Sequence, residues 1–85
     1  MKTVFYFTAE WCASCKKTQP VIEHMEKEGF DFQKIDADYE KILVQRFNVK
    51  SVPTFILIEN GKELNRMSGS KNQEELEAFI KNEKI

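Results

Sequence analysis

Hydrophobic and polar positions along the chain change period several times, and each change marks an element. From Thr3 to Thr8 (TVFYFT) every residue is β-branched or aromatic and none is charged. That is the composition of a strand covered on both faces, hence central in its sheet. From Cys15 to Glu28 (CKKTQPVIEHMEKE) the period becomes helical, with Cys15, Thr18, Ile22 and Met25 on one stripe. Gly29 stops that helix. Pro20 lies inside it and is expected to kink it by removing a hydrogen bond. Phe30 to Asp36 (FDFQKID) alternates like a strand with Phe30, Phe32 and Ile35 turned inward, and Asp38 to Phe47 (DYEKILVQRF) is a second helix capped by Asp36 or Asp38.

The second half is read the same way. Val49 to Pro53 is a connector, and Thr54 to Glu59 (TFILIE) is a strand. Asn60-Gly61 is a hairpin signal, because a type I′ turn needs positive φ at both central residues. Lys62 to Ser68 pairs back as an edge strand, and Gly69 and Ser70 break it. Asn72 to Glu83 is the last helix, with an Asn72/Glu75 capping box and an inward stripe of Leu76, Phe79 and Ile80. The order β-α-β-α-β-β-α predicts an α/β fold: a four-stranded mixed sheet, opened by a right-handed parallel β-α-β unit, with helices on both faces.

Composition adds bounds. The chain has 85 residues, read as a single domain over 1–85. It is 41% hydrophobic with seven Phe, which supports a packed core. Its 13 basic and 14 acidic residues nearly cancel, leaving no electrostatic footprint for nucleic acid or an anionic membrane. The apolar runs are strand-sized, and the N-terminus lacks a signal-peptide core and cleavage site, so the expected compartment is the cytoplasm. Structural disulfides are rare there.

That sharpens the question posed by Cys12 and Cys15, the only cysteines, in the stretch EWCASCK. They fall at the carboxyl end of the first strand and the amino end of the first helix, where chemistry collects in open α/β sheets. A zinc site needs about four ligands, and the chain offers two cysteines and one histidine, His24, which is expected to be exposed. A permanent disulfide would close too small a loop to constrain the unfolded chain much. Two inert buried cysteines are the bland alternative. A Cys-x-x-Cys beside a β-α-β unit is an established redox signature, and the helix-start placement favours that reading. Cys12 is expected to be the exposed, low-pKa attacker, and Cys15, one turn in, the resolving thiol.

The residues around this pair resemble the thioredoxin family over nearly the whole chain. Ala9-Glu10-Trp11-Cys12 and Cys15-Lys16 match its active-site segment, Pro20 its helix proline, Val52-Pro53-Thr54 its cis-proline segment, and Gly69 a glycine after the last strand. The resemblance implies a thiol-disulfide oxidoreductase, an electron-transport enzyme acting on disulfide-containing proteins. A reductase of the thioredoxin reductase type or another dithiol donor would recharge it. It implies no organic cofactor, no metal, and a monomer. Trp11, Ala13, Ser14, Val52, Pro53 and Gly69 would form the docking surface, and Lys34 and Lys16 would act electrostatically.

Three departures stand out. The chain begins at the active-site strand, which suggests a minimal, glutaredoxin-sized version. Ala13-Ser14 replaces the family's usual Gly-Pro between the cysteines, and is expected to make the couple somewhat less reducing. Tyr6 stands where the family usually has a buried Asp, so a base for Cys15 must be water or another group. A glutaredoxin-like enzyme using glutathione is the nearest alternative, although Trp11-Cys12 and the Ser68-Gly69-Ser70-Lys71 segment do not fit it well. A ribonucleotide reductase donor and a non-enzymatic binding module are further alternatives.

Overall fold

The computed structural model describes residues 2–81. The elements are β1 (Lys2–Thr8), α1 (Ala13–Lys27), β2 (Phe32–Asp36), α2 (Lys41–Arg46), β3 (Thr54–Glu59), β4 (Lys62–Ser68) and α3 (Gln73–Ile80). The strands form one sheet in the order β2-β1-β3-β4. β1 runs parallel to β2 and antiparallel to β3, and β4 pairs antiparallel with β3 at the edge. The expected mixed four-stranded sheet and element order are therefore present.

Alternation along the two central strands sends side chains to opposite faces. On one face Val4, Tyr6, Phe55 and Leu57 pack with Ile22 and Met25 of α1 and Leu76 and Phe79 of α3. On the other, Phe7, Ile56 and Ile58 pack with Leu43, Val44 and Phe47 near α2. An uncharged β1 is what a strand buried on both sides requires.

Local signals account for the element ends. Gly29 (φ +100°) follows α1, with Gly29 N–H donating to the Glu26 carbonyl and Phe30 N–H to that of Met25. This Schellman closure uses Phe30 to finish the helix, so β2 begins at Phe32 rather than at Phe30. Asn60 and Gly61 both have positive φ, as the tight hairpin demands. Asn72 and Glu75 form the reciprocal capping box of α3. The expected end of that helix at Glu83 lies outside the described residues.

The start of α2 departs from expectation. It begins at Lys41, not Asp38, and its N-cap is Glu40, with no side-chain capping bond. Asp36 Oδ1 instead accepts the Asp38 N–H at 2.9 Å. This local side-chain bond offers the backbone a turn that competes with helix.

Candidate active site

The site forms where β1 ends and α1 begins. Ala9 O accepts the Cys12 N–H, and Cys12 is the N-cap of α1 with extended backbone (φ −87°, ψ 110°). Its Sγ accepts the Cys15 N–H at 3.1 Å, so sulfur takes the place of the usual oxygen cap. A thiolate at Cys12 would face a helix N-terminus and one oriented N–H donor. Both cysteines are free thiols.

Exposure corrects one expectation. Cys12 is only 5% exposed, close to the 2% of Cys15. Val52 packs over the pair, and the Cys12 thiol lies 3.6 Å from the Val52 carbonyl oxygen. Cys15 lies one turn in, where burial pushes its thiol above the ordinary 9.0 and the adjacent Cys12 side chain adds to the rise.

The second half of the chain supplies the facing loop. The Val52–Pro53 peptide is cis, and Gly69 (φ +90°) donates its N–H to the Pro53 carbonyl at 2.9 Å. Val52 thus lies beside Cys12, and Gly69, distant in sequence, joins the same loop through Pro53. Ala13 and Ser14 are exposed on the first turn of α1. Trp11 is 71% exposed, and its indole N–H donates to Asp38 Oδ2 at 2.9 Å. This use of Asp38 was not legible in the sequence, where its place before a helical run suggested a cap.

Two hollows flank the pair. A small groove of about 160 Å³ runs beneath Trp11 along Ala37, Val44, Val49 and Val52. A cavity of about 410 Å³ lies on the other side, lined by Thr8, Glu10, Cys15, Lys16, Lys34 and Asp36 among others. Lys16 and Lys34, assigned electrostatic roles, therefore meet at the Cys15 side. Thr8, Glu10 and Asp36 were not among the expected site residues. The signal available for Thr8 and Asp36 was their position at the carboxyl ends of adjacent strands.

Tyr6, at the position where the family usually has a buried Asp, is fully buried and stacks on Phe55 with ring centroids 5.1 Å apart. Its hydroxyl donates to the Cys15 carbonyl at 3.2 Å. Burial raises its pKa from the ordinary 10.0. Among the described residues, no group of three or more His, Cys, Asp and Glu side chains is arranged to hold a metal ion.

A thioredoxin family model matches residues 1–82. The chain belongs to the thioredoxin family. It is 39% identical over 70 residues to Thioredoxin H2 of Arabidopsis thaliana, covering 80% of this chain and 53% of that protein. To the thioredoxin of Chlamydia caviae it is 38% identical over 76 residues, covering 87% and 74%. The thioredoxin of Fasciola hepatica superposes with a TM-score of 0.88 at 34% identity, covering 98% of this chain and 81% of that one. Thioredoxin NaTrxh of Nicotiana alata gives 0.88 at 41% identity, covering 95% and 71%. The chain spans a little over half of the length of the first plant thioredoxins it matches, 53% and 61%. No helix among the described residues is long and apolar enough to cross a membrane.

Proposed function

We propose that this thioredoxin-family chain is a protein dithiol-disulfide oxidoreductase working through Cys12 and Cys15. The observation that carries the reading is the Cys12 sulfur at the N-cap of α1, accepting the N–H of the second cysteine one turn on. In the reductive direction the Cys12 thiolate attacks one sulfur of a substrate disulfide. That S–S bond breaks, and the departing substrate thiolate takes up a proton. Cys15 then loses its proton and attacks the Cys12 sulfur, which releases the second substrate thiolate. The substrate gains two electrons, and the Cys12–Cys15 pair becomes a disulfide.

Docking is assigned to the Trp11, Val52, Pro53 and Gly69 face, with Ala13 and Ser14 at its rim. The half-buried Val52 beside the sulfur and the exposed Trp11 indole support this assignment. An extended substrate segment pairing with the Val52 backbone would bring its disulfide to Cys12. The chain acts as a monomer in the cytoplasm, needs no bound cofactor, and is recharged by a thioredoxin reductase-type enzyme or another dithiol donor.

The test is catalysed reduction of a disulfide-bonded reporter protein by dithiothreitol, with oxidised glutathione as the competing substrate. Faster turnover of the protein disulfide supports this reading. Preference for glutathione disulfide transfers the site to the glutaredoxin-like alternative. Absence of both activities, with biological function surviving Cys12→Ser, supports a binding module.

A further inference from the structure

Resolution of the mixed disulfide requires the Cys15 thiol to give up a proton inside the protein. Tyr6 is badly suited to take it. Its phenol is protonated in the neutral range, and its O–H is committed to the Cys15 carbonyl. The Cys12 sulfur is then in the mixed disulfide and accepts no proton either. What remains beside Cys15 is the polar cavity.

Strand register explains how that cavity is built. β1 and β2 are parallel, with Tyr6 opposite Lys34 and Thr8 opposite Asp36. Two-residue alternation puts Thr8 on the same face as Tyr6, the face packed by α1. Asp36 and Lys34 thus border the same hollow as Cys15 and Lys16. At about 410 Å³, with hydroxyl, carboxylate and ammonium groups in its wall, it is roomy and polar enough for water.

We propose that Asp36 is the proton acceptor for Cys15 in the resolving step, reached through cavity water along the Thr8 wall. The inference rests on the dithiol-exchange reading above. The proton passes from Cys15 Sγ to water and from water to the Asp36 carboxylate. The sulfur electron pair forms the Cys12–Cys15 bond, and the Cys12–substrate bond breaks to release the substrate thiolate. The charged and titratable groups around this path are Tyr6 from β1, Glu10 from the loop, Cys12 at the N-cap of α1, Lys16 from α1, and Lys34 and Asp36 from β2. Lys16 and Lys34 favour the developing Cys15 thiolate by charge. Asp36 is favoured over Glu10 because its carboxylate is anchored by the Asp38 N–H bond and is half-buried, whereas Glu10 is exposed.

Dithionitrobenzoic acid separates the two steps, because attack by Cys12 releases one chromophore and attack by Cys15 releases the second. The variant is Asp36→Asn, whose side-chain oxygen can still accept the Asp38 N–H. Its second phase should slow at least about tenfold relative to the first near neutral pH, a modest loss by the standard of general bases. The second-phase rate in the native chain should sit on a plateau that does not rise with hydroxide near neutral pH. In Asp36→Asn it should keep rising with hydroxide, and Asp36→Glu should restore part of the plateau. An unchanged ratio and pH profile in Asp36→Asn, or the same change in Glu10→Gln instead, overturns the assignment. A native chain that releases no second chromophore loses the exchange reading itself, and this inference with it.

Discussion

The two cysteines stand three residues apart in one cluster, but their surroundings differ. On the Cys12 side lie Val52, the cis-proline loop and the small groove under Trp11, with aliphatic side chains in its wall. On the Cys15 side lies a larger cavity with Thr8, Lys34 and Asp36. The first environment suits recognition of another chain. The second suits movement of a proton, and the sulfur it touches is the one that burial keeps protonated. One helical turn therefore separates a thiol beside an apolar loop from a thiol beside a polar cavity.

Removing either sulfur breaks this comparison most severely. Cys12→Ser should reduce turnover of a protein disulfide to the uncatalysed background. Cys15→Ser should also stop turnover but accumulate a stable mixed disulfide, visible as an adduct in mass spectrometry under non-reducing conditions. If both variants simply lose activity with no adduct from either, the division of roles is wrong.

A smaller effect is expected on the recognition side alone. Trp11→Ala should lower kcat/KM for a protein disulfide by about tenfold, the scale of a modest interface anchor. The same variant should react almost normally with a small aromatic disulfide. Its melting temperature should hardly move, since Trp11 is 71% exposed. Equal losses toward both substrates would mean that Trp11 acts on the sulfur rather than on docking.

Much of this arrangement was legible in the sequence because it is local. The uncharged β1, the Asn60-Gly61 turn and the Asn72/Glu75 box each carry their instruction within a few residues. The Cys-x-x-Cys pair also carries its own helix start. Other features depend on residues far apart. The burial of Cys12 comes from Val52, forty positions away, and exposure cannot be read from helix position alone. The Trp11–Asp38 bond and the Thr8–Asp36 pairing require the register of a parallel crossover, which no short stretch of sequence states. The turn at Asp36 held by its own side chain displaced the expected start of α2 for a local reason, but one that competes closely with capping.

Tyr6 offers a test of intermediate size on the Cys15 side. Tyr6→Phe keeps the ring stacked on Phe55 and removes the hydroxyl from the Cys15 carbonyl. The expected loss is about 1 kcal/mol, that of a single buried hydrogen bond. Chemical denaturation should show it as a lower midpoint with an unchanged slope. Tyr6→Ala should cost about 3–5 kcal/mol by leaving a cavity in the core. A Tyr6→Phe chain as stable as the native one would show that the hydroxyl bond contributes nothing net.

The smallest expected effect is on stability against pH. The folded-state pKa of Cys15 lies above its ordinary 9.0, so the folded chain holds this proton more tightly than the unfolded chain. The corresponding stability is complete below about pH 9 and is lost as pH rises through the folded value. Tyr6, raised from 10.0, adds a loss of the same sign at higher pH. The reduced native chain should therefore lose stability in the alkaline range, and Cys15→Ser should delay the onset toward the Tyr6 range. An identical alkaline profile in Cys15→Ser would remove Cys15 as the source.

The central claim, that Cys12 and Cys15 form a working redox couple, is tested most directly by its reduction potential against glutathione and dithiothreitol buffers. The expected result is a single two-electron transition somewhat less reducing than the known thioredoxin value of about −270 mV, because Ala13-Ser14 separates the sulfurs. Failure to form a Cys12–Cys15 disulfide anywhere across that range would contradict it.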